Sequence, residues 1–368
     1  MYKTFVGSES LTPAHTIDFF FSKVQIVAPL LKNVDLVNTA RMKDRAPHGK
    51  FTFACQPDFS VYSKDSNHNF QLNSTLIEFP LEFKSTPDQD PFAVKPVPSS
   101  DLNSATENPF MSMTNLGRQV AGQITAYATS ILSAQYRTHT FLVLVFKSSA
   151  RILHWDHGGA VVTAPIYFNE DPHLLDFFIR YDNATQASRG HDLTVSLPTQ
   201  SEELDARKLA DLTDAESLLC ISIPNQDCPQ ESNRFIIPAP FARPDIPAGR
   251  WTRTSIAYDV RRNQRVLLKD SWRVMLEDIT PEGEVYAKLR LHSVPNIPHC
   301  SHFTNVGDNT YHTSRTHEFV DKYGQHVSKQ IVPHRHYRLV LDTIGRKLQD
   351  FKCSKEVVKA VHAALLGE

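Results

Sequence analysis

Apolar residues recur at helical spacing between residues 13 and 45, at Ile17, Phe20, Val24, Val27, Leu30 and Leu31, and predict one or two helices there. Short alternating runs rich in β-branched and aromatic residues follow at 51–54, 58–62 and 76–84, each the pattern of a strand. Pro80 lies inside the third run and predicts a bulge or an edge, because proline cannot donate to a ladder. Residues 86–109 are rich in Pro, Ser, Asp and Asn and read as a loop. The strongest helical signal spans 113–135, where Leu116, Val120, Ile124, Tyr127, Ile131 and Leu132 share one face. A strand is expected at 139–147. Two more, 150–155 and 160–166, flank the hairpin signal Asp156-His157-Gly158-Gly159. Residues 197–217 are acidic and polar and begin a connecting region. From about 235 a strand-rich pattern resumes, and it closes on a helix over 354–366. The pattern implies an α+β chain in three parts: a mixed α/β domain over 1–205, a linker over 206–235 and a second unit over 236–368.

Composition narrows the classes of function. Hydrophobic residues make up 41% and charged residues 21%, the balance of a folded globular protein rather than a disordered one. With 39 basic and 40 acidic residues the chain has no global field to draw nucleic acid or an anionic membrane. Any nucleic-acid role must rest on a local site. The apolar run Phe141 to Phe146 is strand-sized, and no run approaches the roughly 20 residues of a membrane span. The opening MYKTFVGSES lacks the basic-then-apolar pattern of a signal peptide. Five scattered cysteines without CxxC spacing read as reduced thiols, so an intracellular location, cytoplasm or nucleus, is expected.

The first domain carries a set of residues with a chemistry in common. Pro57-Asp58 is followed by Glu82-Phe83-Lys84 at the end of a predicted strand, and strand alternation puts Glu82 and Lys84 on one face. Two carboxylates suit Mg²⁺, a hard cation that takes oxygen ligands, and a neighbouring lysine can steady a water or developing charge. The long helix adds Gln123 and Tyr127, which share a helix face. Together these segments resemble the PD-(D/E)xK nuclease superfamily, including its QxxxY branch. The resemblance implies Asp58 and Glu82 as metal ligands, Lys84 as catalytic lysine, Gln123 and Tyr127 in support, Mg²⁺ as cofactor and nucleic acid as partner. Read from the residues alone, a Glu-x-Lys strand is more often a solvated face.

The second unit contains longer motifs. Ala248-Gly249-Arg250-Trp251 leads to Leu267-Leu-Lys-Asp-Ser-Trp-Arg273, then Glu282-Gly-Glu-Val-Tyr-Ala-Lys-Leu289, then His336-Tyr-Arg-Leu-Val-Leu-Asp342 and Ile344-Gly-Arg-Lys-Leu348. In this order they resemble the small lobe and hinge of the basidiomycete fungal-type protein kinase family. Gln135 to Thr138, His154-Trp155-Asp156 and Phe177 to Tyr181 extend the resemblance, which covers most of the chain from about residue 50. It implies that Lys269 holds the phosphates of ATP, that Glu282 pairs with it (Glu284 being the alternative) and that the hinge falls near Leu341 to Ile344. Gly249 is all that remains of the glycine-rich loop. No HRD-type catalytic loop or DFG segment follows, so the expectation is a truncated member, inactive as a kinase in this form: an ATP-binding or interaction module. A protein partner is expected to cover the exposed underside of the small lobe. Histidines crowd the same region, and His299, Cys300 and His302 are considered as zinc ligands against the plainer reading of loop histidines. Arg261, Arg262 and Arg265 read as the solvated end of a hairpin.

Overall fold

The computed structural model describes residues 31–44, 55–66, 69, 71–92, 111–112, 114–210, 217–225, 228, 230–238, 240, 244, 246–307, 310–319 and 331–366. The chain forms two units. The first comprises Met1–Asp192, Asp245–Gly249 and Ser314–Pro333, and the second Leu193–Pro244, Arg250–Thr313 and His334–Glu368. Among the described residues no helix is long and apolar enough to cross a membrane.

The first unit is built on a sheet of β1 (Val34–Asn38), β2 (Phe59–Ser63), β3 (Ile77–Phe83), β4 (His139–Val145), β5 (Ala150–Asp156) and β6 (Gly159–Val162), in that spatial order. Neighbours run antiparallel except β3 and β4, which are parallel. A parallel pair needs a crossover, and helix α1 (Asn115–Ala134) lies in that connection. Every residue of β3 is buried, so both of its faces are covered. Phe79, Leu81 and Phe83 pack with Phe59, Val61, Val143 and Val145 against Leu174, Phe178 and Tyr181 of helix α2 (His173–Asp182). On the opposite face Leu142, Leu144 and Leu153 meet Val120, Ile124 and Tyr127 of α1. Fully burying each such side chain is worth about 1.5–3 kcal/mol, and two apolar faces on one sheet fix which residues of β3 turn towards α1.

Most of the expected elements of this unit form. Helix α1 begins where Thr114 caps it, its Oγ1 accepting from Gly117 N–H at 2.9 Å. Residues 34–38, expected as helix, are instead β1, paired with β2 from Val34–Ser63 to Asn38–Phe59. The pairing places Val34 and Val37 in buried positions, and that burial outweighs a weak helical period. Pro80 is not on an edge: it sits in a central strand opposite Ser60, next to a register shift at Val61 and Tyr62. The remainder of the expected first helices, residues 13–30, and the expected strand 51–54 lie outside the described residues.

In the second unit β7 (Val195–Ser196), β8 (Leu219–Pro224), β9 (Ser232–Ile237), β10 (Arg253–Asp259), β11 (Gln264–Val274), β12 (Cys300–Asn305) and β13 (His334–Leu341) form one antiparallel sheet, ordered β12-β13-β11-β10-β9-β8-β7. Helix α3 (Gln200–Ala210) buries Ala206 against Leu218, Cys220, Ile236 and Tyr258. Helix α4 (Glu282–Leu291) lies over β12, with Tyr286 in the cluster of Phe303, Tyr337, Leu339 and Leu341. Helix α5 (Ser354–Leu365) buries no side chain. The division of the chain differs from the expected boundary at 205. The expected linker 206–235 holds the end of α3, all of β8 and the start of β9, because its polar residues are paired: Arg234 binds Glu202 through two nitrogens. The basic turn is also not simply solvated, since Arg262 bonds Asp259, Asp342 and Ser301.

Candidate functional site

Two sites stand out, one in each unit. In the first, β3 turns Glu82 towards α1, and helical spacing brings Gln123 and Tyr127 to it. Lys84 Nζ donates to Glu82 Oε1 at 2.7 Å and to Gln123 Oε1 at 2.8 Å. Gln123 Nε2 donates to Glu82 Oε1 at 2.8 Å and to Tyr127 Oη at 2.7 Å, and the Tyr127 hydroxyl in turn donates to Gln56 O at 2.8 Å. Asp58 joins through the backbone, its Oδ2 accepting from Phe83 N–H, the residue between Glu82 and Lys84. All five residues singled out from the sequence therefore meet in one place.

The electrostatics of this cluster are those of an acid site short of positive charge. Glu82 is 4% exposed. Burial, and then the charge of Asp58, push its carboxyl up to about 7, against the pull of Lys84. Burial raises Asp58 too, opposed by the Phe83 N–H and by Lys84. Tyr127 is raised far above the usual phenol range, by burial first and Glu82 second. Glu82 Oε2 is buried and has no hydrogen-bond partner among the described residues. Two neighbouring carboxyls that burial raises, one of them raised further by the other's charge and carrying an unmatched oxygen, fit a divalent cation with oxygen ligands. Sequence reasoning missed the residues that hold Asp58. Thr39 is fully buried, donates from Oγ1 to Pro57 O at 2.8 Å and from its N–H to Asp58 O at 2.9 Å, and bonds Ser60 Oγ. With Tyr127 on Gln56 O, three successive carbonyls leading into Asp58 are engaged. A lone threonine after a short apolar run carries no signal of this in sequence.

In the second unit Lys269 Nζ lies 2.5 Å from Glu282 Oε2. Lys269 is on β11 and Glu282 opens α4, so a strand lysine meets a glutamate on the next helix. Glu284, the alternative partner, is exposed. In kinases a strand lysine held in this way by a helix glutamate contacts the α- and β-phosphates of ATP. Gly249 belongs to the first unit, where its N–H donates to His157 O at 2.8 Å and its φ is +114°. The N–H that a phosphate loop would present to nucleotide is thus already engaged. At the expected hinge, Asp342 N–H donates to His299 O, and the Asp342 carboxylate accepts from Arg262 and His299. The proposed zinc trio does not assemble: the ligand atoms of His299, Cys300 and His302 do not gather within 4.8 Å of one another.

A family model described as fungal protein kinase matches residues 110–367 of the chain. No curated protein and no solved structure matches it.

Proposed function

The chain belongs to the fungal protein kinase family, and from that premise we propose that its second unit binds ATP, with Lys269 on the phosphates. The observation that supports this is the Lys269–Glu282 pair, which joins β11 to α4. Lys269 is about a quarter exposed, enough for its ammonium to reach a ligand while Glu282 limits where it points. An ammonium held in this way is pre-organised for a phosphate oxygen and loses little freedom on binding. Mg²⁺ accompanies the nucleotide in this chemistry and neutralises its phosphates. Phosphoryl transfer requires a catalytic base and metal-holding side chains beyond these two residues. Titration of the full chain with MgATP, followed by thermal stability, tests the reading. A saturable rise in melting temperature that disappears in Lys269→Met supports it, and no rise at millimolar MgATP removes it.

We infer a second activity for the first unit: Mg²⁺-dependent cleavage of a phosphodiester. The unmatched Glu82 Oε2 beside Asp58 favours it. Asp58 and Glu82 would hold the cation, which in such sites polarises the phosphate and lowers the pKa of a water. Lys84 supplies positive charge beside the reacting phosphate. Gln123 fixes Lys84 and Glu82 together, and Tyr127 fixes the orientation of the Gln123 amide by accepting from its nitrogen. Cleavage of single- and double-stranded DNA and RNA with Mg²⁺ or Mn²⁺ is the assay. Activity lost in both Glu82→Gln and Lys84→Ala supports this role, and activity that survives both assigns it to a contaminant.

A further inference from the structure

The first turn of α4 lacks the side chain that helices ordinarily use to close their open N–H groups. Its N-cap is Pro281, which offers no side-chain acceptor, so Gly283 N–H has no local partner. The partner comes from across the sheet: Gly283 N–H donates to Tyr337 Oη at 2.9 Å in a buried bond. Gly283 also lets α4 approach β12 closely. A Cβ at this position would stand 2.1 Å from Phe303 Cγ, so only glycine allows the approach. In the β11–β13 register Tyr337 lies opposite Ser271 and Leu339 opposite Lys269. Alternation then turns Tyr337 and Lys269 to the same face. Glu282, which holds Lys269, immediately precedes Gly283.

We propose that Tyr337 is a positioning residue for the Lys269–Glu282 pair, its hydroxyl serving as the N-cap that Pro281 cannot provide. The inference rests on the reading of Lys269 as the phosphate-binding lysine. Further along α4, Tyr286 packs against the Phe303, Tyr337, Leu339 and Leu341 cluster. Gly283 is the helix's one buried residue, and Val285 and Leu291 are 40% and 81% exposed. Tyr286 fixes the helix on the sheet one turn on, and the place of the Glu282 carboxylate at its start depends on the first turn. An aromatic ring that only filled space would do so without its oxygen, and Tyr337→Phe keeps the ring.

The test reads the pair directly in the full chain, as the rate at which an N-hydroxysuccinimide ester acylates Lys269, followed by peptide mass spectrometry. Glu282→Gln sets the rate for a released lysine. Tyr337→Phe is expected to raise acylation towards that rate and to weaken MgATP affinity about fivefold, the worth of one ordinary hydrogen bond. Pro281→Asp in the Tyr337→Phe background places an acceptor at the N-cap and is expected to return both readouts towards wild type. A space-filling role predicts no such rescue. The proposal is overturned if Tyr337→Phe is acylated like wild type while Glu282→Gln is faster, if Pro281→Asp restores nothing, or if Glu282→Gln changes nothing. If wild type shows no MgATP affinity while the acylation pattern holds, the nucleotide reading falls and the positioning role of Tyr337 stands.

Discussion

Glu82 shows how a single side chain can be costly to the fold and useful to the site. It sits near the end of a buried strand, shares a lysine and an amide with its neighbours and leaves one oxygen without a partner among the described residues. Replacing a buried, imperfectly satisfied carboxyl by a neutral isostere removes a desolvation cost. Glu82→Gln is expected to raise stability at pH 8 by about 1–2 kcal/mol, read from urea unfolding, and to abolish stabilisation by Mn²⁺. A loss of stability would show that the carboxylate is satisfied in solution. Glu78, on the same strand, behaves in the opposite way. Burial works against its charge, yet Arg137, His191 and Tyr181 hold its carboxyl far below the usual range. A depressed carboxyl contributes stability above its unfolded value of 4.5 and loses it as pH falls below that. Between pH 6 and pH 3.5 the urea midpoint of wild type is therefore expected to fall more steeply than that of Glu78→Gln. Arg137→Ala takes the guanidinium from the buried carboxylate, leaving it to His191 and Tyr181, and is expected to cost about 3–5 kcal/mol. The two glutamates look alike in sequence, because their difference lies in partners that arrive from the turn after α1, from α2 and from the chain beyond it.

Among the elements, those legible in the sequence were those whose own residues supply the signal. Helix α1 has twenty residues with one apolar face and a threonine cap, and its period is visible without any partner. Strands β2 to β5 alternate or are uniformly apolar, and the site residues on β3 and α1 followed from placing short motifs on these elements. The Lys269–Glu282 pair was legible for a different reason, as a likeness in order and spacing. What escaped depends on tertiary contact. Strand β1 exists through its pairing with β2, and α3 is a polar helix that buries Ala206 and is tied down by Glu202–Arg234. The engaged carbonyls before Asp58 belong to this class, and they make a prediction about an element rather than a residue. Thr39→Val keeps the shape of the side chain at the end of β1 but removes the hydroxyl from Pro57 O and Ser60. It is expected to cost about 1–3 kcal/mol through the buried groups left unpaired. Where Asp58 holds a cation, Mn²⁺ affinity is expected to fall about 10-fold, as for other supporting partners of a metal ligand. Calorimetric titration of Thr39→Val beside Thr39→Ser, which retains the hydroxyl, checks both.

At the scale of the whole molecule, the chain does not finish its first unit before starting the second. It returns to the first at Asp245–Gly249 and again at Ser314–Pro333. The second return is fastened by Asp156, whose carboxylate accepts from Gly158 N–H, Arg315 N–H, Thr316 N–H and Thr316 Oγ1. Asp156→Ala leaves buried donors unanswered and is expected to cost about 2–4 kcal/mol. Limited proteolysis should then cut sooner near residues 314–319, and unchanged cleavage there would show that the fastening lies elsewhere. The same arrangement sets a timetable for the ribosome. Asp156 and Thr316 are 160 positions apart, and at roughly 5–20 residues per second the first waits about 8–30 s for the second to emerge. Throughout that interval the nascent first unit carries a carboxylate with most of its donors still unmade, so slower translation of residues 157–316 lengthens the time in which a chaperone or a protease can reach it.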